Sequence, residues 1–140
     1  MFVIALVGCS SKLSSPESDF LSLPPIERRD AILAYPLDVQ VKLYLVAIRG
    51  THPSDLALVS AVASNGAQII PHLSSALVQN EESIEKWALL MVFADLQATG
   101  LYEVNKDASL MRLLEDEVKG MNDLGWKKNA ADIVDELRAR

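Results

Sequence analysis

The sequence predicts an all-α fold, and three observations carry that reading. No window of five residues alternates apolar and polar positions with β-branched enrichment, so no strand is indicated. Apolar residues instead recur three and four apart along most of the chain, which is the spacing of a helix face. Between these stretches, glycine, proline and asparagine fall where helices start or stop. About seven helices result, joined by short turns, and short connections make neighbours antiparallel.

The helix expected over 82–99 organises the rest. It contains Trp87-Ala88-Leu89-Leu90-Met91-Val92-Phe93-Ala94, eight apolar residues in a row. Wound at 3.6 residues per turn, such a run is apolar on every side and needs partners all round. Glu85 and Lys86 close it at one end, Asp95 and Gln97 at the other. It therefore falls well short of the ~20 apolar residues of a membrane span.

The other helices follow in order. Pro24-Pro25 suits a helix start, and Ile26 to Ala34 forms the first helix before Pro36 breaks it. Asp38 is placed to cap a second, Val39 to Arg49, which Gly50 stops. After the turn Thr51-His52-Pro53-Ser54-Asp55, a third carries Leu56, Val59, Val62 and Ala63 on one stripe and ends at Asn65-Gly66. Ala67 to Gln79 presents Ile69, Ile70, Leu73, Ala76 and Leu77. Asn80 can cap the central helix, and Glu81, Glu82 and Glu85 suit its positive end. Gly100 terminates it. Asn105 or Asp107 caps Ala108 to Met121, with Leu110, Leu113, Leu114 and Val118 inward. A break over Asn122 to Gly125 precedes the last helix, Lys127 to Ala139.

A chain of 140 residues fits one domain with a real core. Half the residues are apolar and 23% are charged, which excludes disorder over most of the chain. The net charge of −6 provides no general attraction to nucleic acid or to anionic lipid. The domain is expected over residues 25–140.

The first twenty-four residues read differently. Residues 1–8 are an apolar, signal-like segment, and 9–24 turn abruptly serine- and proline-rich, as a flexible tether would. Leu6-Val7-Gly8-Cys9 resembles the lipobox of bacterial lipoproteins. That resemblance implies a diacylated Cys9 at the mature N-terminus and a bacterial envelope address. Ser10 after the cysteine implies the outer membrane, facing the periplasm. The start departs from the pattern in lacking a positive charge and in its eight-residue length; a start further upstream or a trimmed signal fits both. The alternative is a cytoplasmic adaptor whose N-terminus packs on the core, with Cys9 a small buried residue. Further along, Gly66 to Leu77 and then Ser83 to Leu101 resemble the helices of HEAT-type repeats. The resemblance covers Asp55 to Thr99 and implies a short α-solenoid; an irregular helical bundle is the other packing open to this pattern.

Candidate sites are sparse. His52 sits in a turn and His72 on a helix face outside the apolar stripe; they are too far apart for a ligand pair, so no metal and no cofactor is expected. No Gly-x-Ser-x-Gly, glycine-rich phosphate loop or activated nucleophile is present, and no catalytic residue is assigned. Glu81-Glu82-Glu85 and Glu115-Asp116-Glu117 read as solvated faces. Trp87 and Trp126 read as core, with an exposed anchor for a partner as the second reading of Trp126. Binding candidates are Arg49 and His52, on an edge of turns, and Trp126, a residue type enriched in binding hot spots. The expectation is a non-catalytic protein-binding module, an envelope adaptor or an immunity-type inhibitor. It is held at a membrane through Cys9 and binds a protein, not nucleic acid. The rival is a small-ligand carrier or enzyme with a pocket between helices near Met91 and Met111.

Overall fold

In the computed structural model, which describes residues 15–50 and 56–140, all regular structure is helical. Among the described residues the helices are α1 (Ser15–Ser22), α2 (Pro25–Ile32), α3 (Leu37–Gly50), α4 (Ala57–Ala63), α5 (Ile70–Gln79), α6 (Ser83–Ala98), α7 (Ala108–Lys119) and α8 (Leu124–Ala139). Two 3₁₀ turns, Gly66–Ile69 and Val104–Lys106, join α4 to α5 and α6 to α7. No helix among the described residues is long and apolar enough to cross a membrane.

Helix α6 lies at the centre, in contact with α3, α4, α5, α7 and α8. Ala88, Leu89, Leu90, Val92, Phe93 and Leu96 are fully buried there, on all sides of the helix. That is what a run of apolar residues longer than two turns requires, and it gives the fold the form of a bundle wrapped round one helix.

Side-chain bonds fix the helix directions. The Tyr44 hydroxyl donates to the Ala88 carbonyl at 2.6 Å, and Arg49 meets Glu85, so α3 and α6 are antiparallel. Burial holds the Tyr44 phenol well above its ordinary pKa, so this donor keeps its proton. The Asp123 amide donates to Ser83 Oγ at 3.3 Å, and Gln97 Nε2 donates to the Leu137 carbonyl at 2.9 Å. Helices α6 and α8 are therefore parallel, with α7 and its turns returning the chain between them.

Three local expectations change. The folded part starts earlier than residue 25, because α1 occupies 15–22, inside the segment read as a flexible tether. Phe20 is the reason. It is fully buried and meets Tyr35 edge-on, ring centroids 6.4 Å apart, while serine and proline dominated the sequence reading of that stretch. Second, α8 begins at Leu124 and not at Lys127. The Asp123 carboxylate accepts the Trp126 amide at 3.0 Å and caps the helix across the expected break. Third, Asn80 does not cap α6. It closes α5, its side-chain amide donating to the Ala76 carbonyl at 2.6 Å. Gly66 and Gly100 stop their helices in the left-handed region, at φ +69 and +74.

Candidate functional site

Of the residues singled out in the sequence, Arg49 and Trp126 meet the first two turns of α6. Successive residues on a helix point about 100° apart. Glu85, Lys86 and Trp87 thus face three neighbours in turn. Glu85 reaches Arg49 at the end of α3, Lys86 reaches Glu117 on α7, and Trp87 meets Trp126 on α8.

The Glu85–Arg49 pair is asymmetric. Arg49 Nε lies 2.9 Å from Glu85 Oε1; the glutamate side chain is 3% exposed and the arginine 55%. Burial raises the Glu85 pKa, the nearby Glu82 charge raises it further, and Arg49 pulls it back. This corrects the reading of Glu81-Glu82-Glu85 as one solvated face: Glu81 and Glu82 are exposed, but Glu85 turns inward. Lys86 is also buried, its ammonium 2.7 Å from Glu117 Oε2. Glu117 is therefore an ion-pair partner of the interior and not a wet residue. Glu115 pairs with Arg138, whose hydrogen bond holds that carboxyl below its usual range.

Beside the Arg49–Glu85 pair runs an open groove of about 400 Å³, lined by Asp38 and Lys42 of α3, His72, Ser75 and Gln79 of α5, and the pair itself. His72 is half-buried here, one turn from Ser75. The Ser75 hydroxyl accepts from Gln79 Nε2 at 3.2 Å, and no hydrogen bond joins it to His72. On the opposite side of α6, Trp87 and Trp126 stack at a tilt of 45°, ring centroids 4.9 Å apart. Both are half-buried and pack against the hydrophobic core.

A second cleft, of about 280 Å³, opens between α4, α6 and α8 over Val59, Met91, Ala94 and Ile133. Met111, expected near Met91 in any ligand pocket, is buried in the core and does not line it. Cys9 and His52 lie outside the described residues. Among the described residues, no group of three His, Cys, Asp or Glu side chains is placed to hold a metal ion.

Sequence reasoning missed Glu85 and Lys86 as paired interior charges. The available signal was their position, immediately before eight apolar residues on the helix that must be covered on every side. Comparison with family models, with curated proteins and with solved structures gave no match.

Proposed function

We propose that this chain is a membrane-tethered, non-catalytic protein-binding module of the bacterial envelope, lipidated at Cys9. The observation that carries the reading is the fate of the interior charges. Glu85 and Lys86 are each engaged by a partner of opposite charge that ties α6 to its neighbours. Buried ionisable groups used this way hold helices in place. Beside them the Trp87–Trp126 pair is half-exposed, and tryptophan is a residue type enriched in interface hot spots. An envelope adaptor and an immunity-type inhibitor both use such a surface.

The early start of α1 sharpens the anchor. Five residues, 10–14, separate Cys9 from Ser15. Fully extended they reach about 18 Å, so a lipidated Cys9 holds the domain close against the bilayer. Two or three acyl chains at about 0.8 kcal/mol per buried CH₂ make that attachment stable.

Metabolic labelling with a palmitate analogue tests the anchor. Wild type takes up label and partitions with membranes, and Cys9→Ala does neither. Equal labelling of the two removes the anchor and leaves a cytoplasmic adaptor. One observation favours a second reading, small-ligand carriage: the cleft over Met91 has an apolar floor. Uptake of an apolar fluorescent probe that Met91→Trp abolishes would favour that reading over protein binding.

A further inference from the structure

Two ion pairs hold the start of α6, and they differ in what they leave open. In the Lys86–Glu117 pair both side chains are largely enclosed, 11% and 20% exposed. In the Glu85–Arg49 pair the carboxylate is enclosed, while the guanidinium is 55% exposed at the edge of the groove between α3 and α5. Glu85 meets Arg49 at Nε, 2.9 Å away. Among the described residues nothing hydrogen-bonds the two Nη groups, so their N–H donors stand open beside the groove. Tying α6 to a neighbour needs no open cation, as Lys86 shows. A buried ion pair is also weak as a source of net stability. Neither role accounts for a guanidinium fixed at one edge and free at the other.

The groove runs from Arg49 to Asp38, eleven residues apart on one face of α3, a distance of about 16 Å at 1.5 Å per residue. Its floor is apolar, with Val41 and Leu45 buried and Ala76 half-buried. Ser75 and Gln79 are exposed on the α5 side, and His72 is half-buried there. Lys42 is drawn toward Glu17 of α1, 3.5 Å away, and Asp38 pairs with no cation among the described residues. The groove therefore has a cationic end at Arg49, an anionic end at Asp38 and polar edges between them.

We propose that this groove captures the free C-terminal segment of a partner protein, its terminal carboxylate held by the two Nη groups of Arg49. The proposal rests on the protein-binding reading above and gives the partner its chemistry. A guanidinium held at Nε presents its Nη edge as a planar fork, which matches a carboxylate bidentately. An extended chain advances about 3.3 Å per residue, so about five residues fill the groove. The last apolar side chain lies on Leu45 and Ala76, and a basic residue at the fifth position from the end meets Asp38. The polar edges serve the backbone N–H and C=O groups of the segment. The groove is open along its length, which suits a segment laid in from the side, whereas small-ligand sites enclose most of their ligand.

The test uses the 140-residue chain and an acetylated hexapeptide, glycine-lysine-serine-glycine-alanine-leucine, made with a free C-terminal carboxylate and again as the C-terminal amide. Amide chemical shifts follow binding. The free acid is expected to shift residues 38–49 and 72–80 saturably and to bind at least about tenfold more tightly than the amide, as one bidentate, charge-assisted contact allows. That comparison changes nothing in the protein, so it stands whether or not a variant folds. Arg49→Lys keeps a countercharge for Glu85 and loses the fork; the Arg49→Gln, Glu85→Gln double variant leaves no unpaired buried charge. The preference for the free acid is expected to fall several-fold in the first and to about one in the second. Equal affinity for acid and amide, no binding, or shifts confined to other surfaces overturns the proposal. Binding of N-acetyl-leucine as tight as that of the hexapeptide also overturns it, and makes the groove a site for small carboxylates. Palmitate labelling at Cys9 reads separately: label without peptide shifts removes this groove alone, and shifts without label remove only the anchor.

Discussion

Helices α6 and α8 lie side by side, run the same way, and have sixteen residues each. One buries nine of them, from Ser83 to Leu96; the other buries Ala130, Val134 and Leu137 alone. Their lengths are matched, so the angular width of the apolar surface decides which becomes the centre. Their beginnings differ in the opposite sense. Helix α8 starts on its own cap, Asp123, whereas the residue before α6, Glu82, makes no side-chain cap bond. The start of α6 is held from outside, by Arg49, Glu117 and Trp126. A central helix can rely on its neighbours in this way, while a peripheral helix must supply its own start.

The sharpest way to break this comparison is to truncate one interior side chain on each helix. Phe93→Ala removes a fully buried ring contacted from several sides and is expected to cost about 3–5 kcal/mol. Val134→Ala, on the narrow stripe of α8, is expected to cost about 1–2 kcal/mol from two lost methyl groups and a cavity that can partly close. Chemical denaturation of both variants checks the ordering. Equal losses would mean that α6 is no more central than its neighbour.

The second prediction concerns what holds the start of α6. Glu85 has a raised pKa in the folded chain, so folding favours its protonated form. That contribution is complete below the unfolded carboxylate value and is lost as pH rises through the folded value. Arg49 limits the loss by favouring the charged form. In Arg49→Ala the folded pKa moves further up, and the variant is destabilised by about 1–2 kcal/mol near neutral pH. The deficit shrinks as pH falls below about 4, where the carboxyl becomes protonated in both states. Denaturation midpoints measured across that range give the check. A deficit independent of pH would show that Arg49 acts by packing and not by charge.

The same contrast explains what could be read from the sequence. The helix frame was legible because eight apolar residues in a row on a helix must be covered on every side, and because Gly66 and Gly100 mark helix stops in the left-handed region. Burial of Phe20 was not legible. A single aromatic among serines gives no periodicity, and Tyr35, its edge-on ring partner, lies fifteen residues on. The expected break at Asn122 to Gly125 is present but ends at Asp123, because glycine early in a helix is tolerated when an aspartate just before it supplies the cap. Of the binding candidates, Arg49 and Trp126 do flank one turn of α6. The glutamate that anchors Arg49 was read as wet, because a charge just ahead of an apolar run looks the same whether it faces solvent or a countercharge on another helix.

The smallest expected effect tests the two helix starts directly. Asp123→Ala removes the carboxylate that accepts the Trp126 amide, and loss of such a cap costs about 1 kcal/mol. Glu82→Ala removes a residue in the equivalent position that makes no cap bond. Two small terms then oppose each other. The carboxylate favours the positive end of α6, by about 0.3–1 kcal/mol. It also lifts the Glu85 pKa, so its removal makes the buried charge easier to hold. The sum is expected to lie within about 0.5 kcal/mol of zero, the usual range for an exposed site. Thermal melts rank the pair, and amide exchange at Trp126 locates the first effect. Faster exchange there in Asp123→Ala, with little change at Lys86 in Glu82→Ala, is the pattern that a self-capped helix beside a neighbour-held one requires. If Glu82→Ala proves the costlier change, the start of α6 depends on its own charge after all, and the contrast between the two helices fails at their first turns.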